Sequence, residues 1–377
     1  MRRKRDKQQP EPDHLTDEER MAGERAKLLF TTLRDENLSP SEKEELWNQV
    51  GETISQRKQR SFGTFWIAAA ASVTLLLLAG VGYLVFYKNT ARTMQEFAAR
   101  GSNGPDETQL ILADKRVVSL RKDNSSVEYK ENGALIQVDS SSTIGQRVAG
   151  DQQFNTLIVP YGKRSVLTLA DGTRIWLNSG SRLVYPSHFD ARRREVYLEG
   201  QAFFSVKHSD DVPFHVYTRD MEVKVLGTEF DVSAYADDHY TAAVLTTGSV
   251  ELTTRGQSLF GSEKTKITPG TRAVYDQQQA TLQTGQVDVQ EYVSWKDGYL
   301  VLNSAPLTEI LKKLSRYYRV DIILKQPKLA GVRFGGTLDL QENIRDILEA
   351  ISVSTGLNYK QQSSERRYVL EESTIRP

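Results

Sequence analysis

From Ser61 to Tyr87 the chain reads SFGTFWIAAAASVTLLLLAGVGYLVFY, without a charge, between Arg57, Lys58 and Arg60 on one side and Lys88 and Arg92 on the other. About 20 apolar residues in helical form cross the roughly 30 Å hydrocarbon core of a bilayer, so this run is long enough to span one even when tilted. A signal-peptide core is shorter, about 7 to 15 residues after a brief basic start. Here the charged segment 1–60 comes first. The run therefore predicts a single membrane helix over 61–87, with a short tail before it, a linker over 88–107 and a long body after it. The basic residues before the span, with the opening MRRKR, exceed those after it and place the tail in the cytoplasm and the body outside. Phe65, Trp66, Tyr83 and Tyr87 fall near the two interfaces, where amphipathic rings settle.

Charged residues make up 26% and hydrophobic residues 38% of the 377, proportions of a folded body rather than a disordered one. Basic and acidic residues balance at 49 each, which supplies no basic face for direct contact with nucleic acid. The chain has no cysteine, so disulfides, thiol nucleophiles and zinc–thiolate sites are excluded together. Its histidines, His14, His188, His208, His215 and His239, form no H-x-x-x-H or H-E-x-x-H pattern, and no G-x-S-x-G, phosphate loop or dinucleotide fingerprint occurs. Ser187 and His188 are neighbours, but neighbours on a strand face opposite ways. Asp210–Asp211 and Asp237–Asp238 read as solvated turn charges. These patterns point away from an enzyme and predict no catalytic residue, cofactor or metal.

In the tail, Ser39-Pro40-Ser41-Glu42 is a helix start: serine can cap, proline suits the first helical position, and Glu42 can reach back to close a capping box. Leu46, Val50 and Ile54 then recur every fourth residue with Trp47 beside them, an apolar stripe opposite Glu42, Lys43, Glu44 and Glu45. Leu28, Leu29 and Leu33 lie in an earlier helical stretch. Two such helices bury little surface alone, so the tail either completes its fold against a partner or packs on itself or on headgroups.

The body over 108–290 is written in short β-rich segments. Arg174 to Leu177, Arg194 to Glu199, Ala202 to Val206, Phe214 to Tyr217, Met221 to Leu226, Phe230 to Ala234, Ala242 to Thr246 and Val250 to Thr253 are separated by turn signals such as Asp171–Gly172, Glu199–Gly200, Gly227–Thr228 and Gly248–Ser249. This spacing predicts an all-β domain, leaving sandwich, barrel and short solenoid open. A repeat is visible: Leu110 to Asp114 followed by Leu120 returns as Leu167 to Asp171 followed by Leu177. Over 296–377 the pattern changes to β-α-β-β-α-β, with helices from Pro306 to Tyr318 and Glu342 to Thr355. That order predicts a small α+β domain with both helices on one face of a sheet.

The body resembles the FecR-like anti-sigma factors in the form typical of Bacteroidetes. The matching residues stand in order: Val159-Pro160-Tyr161-Gly162, Leu167 to Asn178, Tyr185-Pro186, Val196 to Phe204, Pro213-Phe214, Val223 to Phe230, Gly248-Ser249-Val250, Pro269-Gly270 and Trp295-Lys296-Asp297-Gly298. Gln201 departs from the pattern, which usually has Glu after that glycine. The terminal domain is similar to the short N-terminal domain of secretins and TonB-dependent transducers. The resemblance implies a sigma regulator of the inner membrane. Its tail would hold an extracytoplasmic-function sigma factor through Leu46, Trp47, Val50 and Ile54, and its periplasmic body would meet the signalling domain of a TonB-dependent outer-membrane receptor. Some members of the family break their own chain between the Gly and Thr matching Gly227 and Thr228. A plain turn before a strand is the simpler role for that pair. The competing reading is a membrane-anchored periplasmic module that binds glycan or envelope proteins.

Overall fold

The computed structural model describes residues 106–372 except 147–153, 192, 255–263 and 363–365; before them it describes Met21, Glu24, Lys27, Leu28, Thr31, 39–45, Asn48, Thr74, 93–96 and Ala98. The chain forms two compact units, 1–86 and 87–377.

In the first unit, Pro40 to Glu45 is helical and starts as the sequence demands. The Ser39 amide donates to Glu42 Oε2 at 2.9 Å and the Ser39 hydroxyl donates to the same oxygen at 2.7 Å. These bonds hold the Glu42 carboxyl below its ordinary range. Leu46, Trp47, Val50 and Ile54 lie outside the described residues, as does the apolar run apart from Thr74, which is helical. Among the described residues no helix is long and apolar enough to cross a membrane.

The second unit opens with eighteen strands in chain order. They are β1 Thr108–Ile111, β2 Val117–Leu120, β3 Asn124–Lys130, β4 Leu135–Val138, β5 Ser142–Gly145 and β6 Phe154–Val159. Next come β7 Arg164–Thr168, β8 Arg174–Leu177, β9 Ser181–Pro186, β10 Arg194–Ser205, β11 Phe214–Tyr217 and β12 Met221–Val225. The series ends with β13 Glu229–Ala234, β14 Tyr240–Thr247, β15 Val250–Thr254, β16 Lys264–Ile267, β17 Thr271–Asp276 and β18 Thr281–Gln286. They make two sheets. The first runs β2-β1-β6-β9-β10-β11-β12-β15-β16. The second runs β5-β4-β3-β7-β8-β10-β13-β14-β17-β18. Both sheets contribute to one apolar core that contains Leu110, Leu183 and Val223 from the first and Leu167, Phe204 and Val244's neighbour Leu245 from the second. Phe204 stacks on Phe230 at 5.0 Å between ring centroids.

Strand β10 belongs to both sheets, which corrects the reading of a turn at Glu199–Gly200. Its first half pairs with β9 and β11, and from Gly200 onward it pairs with β13. Gly200 sits at φ +98, and a Cβ there would lie 2.6 Å from the Ser181 Cα. Glycine is therefore required where the strand passes from one sheet to the other.

The repeat is a repeat of structure. Leu112 N donates to Arg116 O and Lys115 N to Leu112 O, while Leu169 N donates to Thr173 O and Gly172 N to Leu169 O, one set displaced from the other by a constant step in sequence. In each turn the aspartate, Asp114 or Asp171, accepts from the amide two residues on.

The C-terminal module contains β19 Tyr299–Pro306, α1 Leu307–Tyr318, β20 Asp321–Leu324, β21 Arg333–Asp339, α2 Ile344–Thr355, β22 Leu357–Gln361 and β23 Arg367–Glu372. The element order is the expected β-α-β-β-α-β with one further strand, β23, at its end, and the expected single sheet is two: β19 pairs with β21, and β20-β23-β22 form a second sheet. Helix α1 touches β19 and β20, and α2 touches β21 and β22, so each helix packs on strands of both sheets. Leu307, Ile310, Leu311 and Leu314 form the buried face of α1. Asn343 caps α2 by accepting from Arg345 N and Asp346 N, and Gly356 at φ +68 closes it.

Part of the stretch read as linker also folds. Thr93 to Glu96 and Ala98 are helical, and Met94 and Ala98 are buried against Phe154, Val184, Tyr197 and Tyr217 of the first sheet.

Candidate functional site

Because side chains alternate along a strand, each strand of the second sheet sends every other residue away from the shared core. Ile175, Leu177, Phe204, Phe230 and Val232 point into that core. Their neighbours Trp176, Phe203 and Asp231 point the other way. The register aligns them in one row: Trp176 opposite Phe203, Phe203 opposite Asp231, Asp231 opposite Val244, and Val244 opposite Arg272. In an isolated sheet this row would face water. Here the C-terminal module covers it, and Phe203 and Trp176 pack in one cluster with Trp295, Leu307, Ile310 and Leu314.

Trp295 is the pin of this junction. It is 4% exposed, and its indole N–H donates to Asp231 Oδ2 at 3.0 Å. Its backbone carbonyl accepts from Arg164 Nη1 at 3.0 Å, and the Arg164 guanidinium lies 4.9 Å from the Tyr317 ring centroid. Asp231 is itself 3% exposed and also accepts from Gln201 Nε2, at 3.0 and 3.2 Å to its two oxygens. Burial pushes the Asp231 carboxyl up to about 7, against the pull of these hydrogen bonds. The departure at Gln201 thus has a physical account. Its amide donates to Asp231 and accepts from Asn178 Nδ2 at 2.9 Å, whereas Glu in that place would set a second carboxylate against a buried one.

A second set of contacts ties the turn after β13 to helix α1. Arg316 Nη2 lies 2.6 Å from Asp237 Oδ1 and 2.9 Å from Asp238 Oδ1, Lys312 bridges the same two aspartates, and the Arg316 guanidinium sits 3.6 Å from the Tyr235 ring centroid. Asp237–Asp238 is therefore an anchor for the C-terminal module, not a pair of solvated turn charges. Burial works against the charge on Asp238, but hydrogen bonds from Arg316 and Lys312 bring its carboxyl net below the ordinary range. No spacing in the sequence links Asp238 to Arg316. The one signal for Asp231 was an acid between Phe230 and Val232 in a strand.

Gly227 and Thr228 lie elsewhere, where β12 leads to β13. Gly227 is not in the left-handed region; a Cβ there would meet His208 Cα at 2.6 Å, so close approach of the His208 loop explains the glycine. The Thr228 hydroxyl donates to Ser249 O at 3.1 Å, and the residue is 4% exposed. Among the described residues no group of three or more His, Cys, Asp or Glu is placed to hold a metal ion.

Two family models match the chain: FecR protein over residues 155–251, and FecR, C-terminal, over 299–370. They fall on the β-sheet body and on the module that covers it. No curated protein matches. Two crystal structures of a protein from Parabacteroides distasonis ATCC 8503 assigned as an anti-sigma factor are similar to this chain. The one at 1.65 Å is 31% identical with a TM-score of 0.52, and the match covers 58% of this chain and 99% of that one. The one at 2.50 Å has the same identity and TM-score and covers 59% and 100%. With both family segments in order and a relative at this identity spanned almost end to end, the chain belongs to the FecR family of anti-sigma factors.

Proposed function

We propose that this protein is a transmembrane sigma regulator whose tail, 1–60, binds an extracytoplasmic-function sigma factor in the cytoplasm. Segment 61–87 crosses the inner membrane, and the body in the periplasm receives a signal from the signalling domain of a TonB-dependent outer-membrane receptor. The observation that carries the reading is the order of parts: a FecR-family body that follows an uncharged, basic-flanked run long enough to span a bilayer, itself preceded by a helix start and an apolar stripe. The proposed receptor contact is the edge of β20, which pairs only with β23 among the described residues and exposes Ile323 at 41%.

Co-purification of the cognate sigma factor with the full chain tests the inner half of the reading. Replacing Trp47 and Val50 by Asp puts charge into the stripe and is expected to cost about 2–4 kcal/mol of binding; undiminished co-purification of the double variant overturns it. For the outer half, Ile323→Asp abolishes induction and leaves sigma binding intact. A periplasm-active reporter is active after Pro377 and silent at Arg57, and the reverse pattern defeats the topology.

A further inference from the structure

Beside Trp295, between the second sheet and α1, lies a cavity of about 250 Å³. Asp231 forms part of its lining, with Arg272 from β17 and Lys313 from α1. Three features set it apart from a packing defect. First, among the described residues every hydrogen bond to buried Asp231 comes from a neutral group, Gln201 or Trp295, although a carboxylate accepts about four such bonds. Second, the Arg272 guanidinium lies near two rings, 5.7 Å from the Tyr240 centroid and 5.0 Å from that of Tyr292, while its Nε is buried and makes no hydrogen bond among the described residues. Third, neither Arg272 nor Lys313 enters an ion pair among the described residues. The acid and the two cations line one cavity and do not close on one another.

We propose that this cavity binds a small zwitterion of the α-amino acid class, its carboxylate taken by Arg272 and Lys313 and its ammonium by Asp231. A volume below the roughly 300–1,000 Å³ of pockets for drug-sized ligands selects a small occupant. Guanidinium groups held against aromatic faces are suited to carboxylate. Lys312 and Arg316, the other cations of the lining, are engaged by Asp237 and Asp238. Glu291 and Glu309 also line the cavity and disfavour a dianion such as phosphate, while they favour an ammonium. A ligand here touches both the β-sheet body and the module over it.

The test uses the full chain in detergent micelles, with thermal shift and titration calorimetry against each common L-amino acid in turn. At least one raises the melting temperature saturably, and its N-acetyl and α-amide derivatives bind at least tenfold more weakly. Asp231→Asn, which keeps an oxygen for Gln201 and Trp295, and Arg272→Gln each weaken binding at least tenfold while the unliganded circular dichroism spectrum is unchanged. No response to any amino acid overturns the proposal, as does equal binding of the acetylated or amidated forms or by both folded variants. Should Arg272→Gln unfold, Lys313→Gln takes its place with the same two outcomes.

Discussion

The core between the two sheets and the junction above the second sheet lie on opposite faces of the same strands, yet they are built from different chemistry. Phe204 and Phe203 are consecutive residues of β10. Phe204 enters a core made mostly of Leu, Val, Ile and Phe, in which the hydroxyls of Tyr129 and Tyr185 meet each other, while Phe203 enters a junction that holds the ionisable Asp231 and is flanked by the Asp238–Arg316 pair. Apolar burial is non-directional and stabilises any arrangement that removes area from water. Buried polar contacts contribute less net energy but are lost when geometry changes, because each unpaired group is then left desolvated. The core therefore secures the body, and the junction sets where the C-terminal module sits upon it.

The largest loss of stability is expected in the core. Phe204→Ala leaves a cavity beside Phe230 and Phe214 and is expected to cost about 3–5 kcal/mol of stability, read by denaturant unfolding; a loss below that of a junction variant would refute the division of labour. Arg316→Ala leaves buried Asp238 with Lys312 alone and should cost about 2–3 kcal/mol, less than breaking a fully buried pair because Asp237 is half exposed. The same variant should raise hydrogen exchange in the β13–β14 turn and α1 while β11 and β12 stay protected.

Asp231 sharpens the contrast through pH. Its carboxyl is raised from 3.8 to about 7, so the folded protein holds a proton that the unfolded chain has lost in this window. Its contribution to stability is greatest below pH 3.8, falls as pH rises to about 7 and is constant above that. Asp231→Asn should remove this downward slope in melting temperature across the window, and an unchanged slope would show that another group carries it. The smallest effect is expected at Thr228. Thr228→Ala loses one hydrogen bond to Ser249 O, about 1 kcal/mol. Mass spectrometry should find one intact chain in both wild type and variant; a new amino terminus at Thr228 in the wild type alone would establish self-cleavage.

Much of the architecture could be read locally. Helix α1 follows from Leu307, Ile310, Leu311 and Leu314, the stop of α2 from Gly356, and the paired turns from the Leu-Ala-Asp repeat, since these depend on periodicity and short-range hydrogen bonds. Even the ordered motifs of the family lie in such segments, which is why the resemblance was legible before any contact was known. What the chain alone left undecided were pairings across long separations. That β10 serves two sheets, that Gln201 exists to satisfy Asp231, and that Asp238 meets Arg316 required the register of β8, β10, β13, β14 and β17 and the placement of α1 upon it. Alternation along a strand tells which residues share a face, but not which face is covered or by what. Only the tertiary structure turned Asp231 from an acid in a strand into a buried acid beside a cavity.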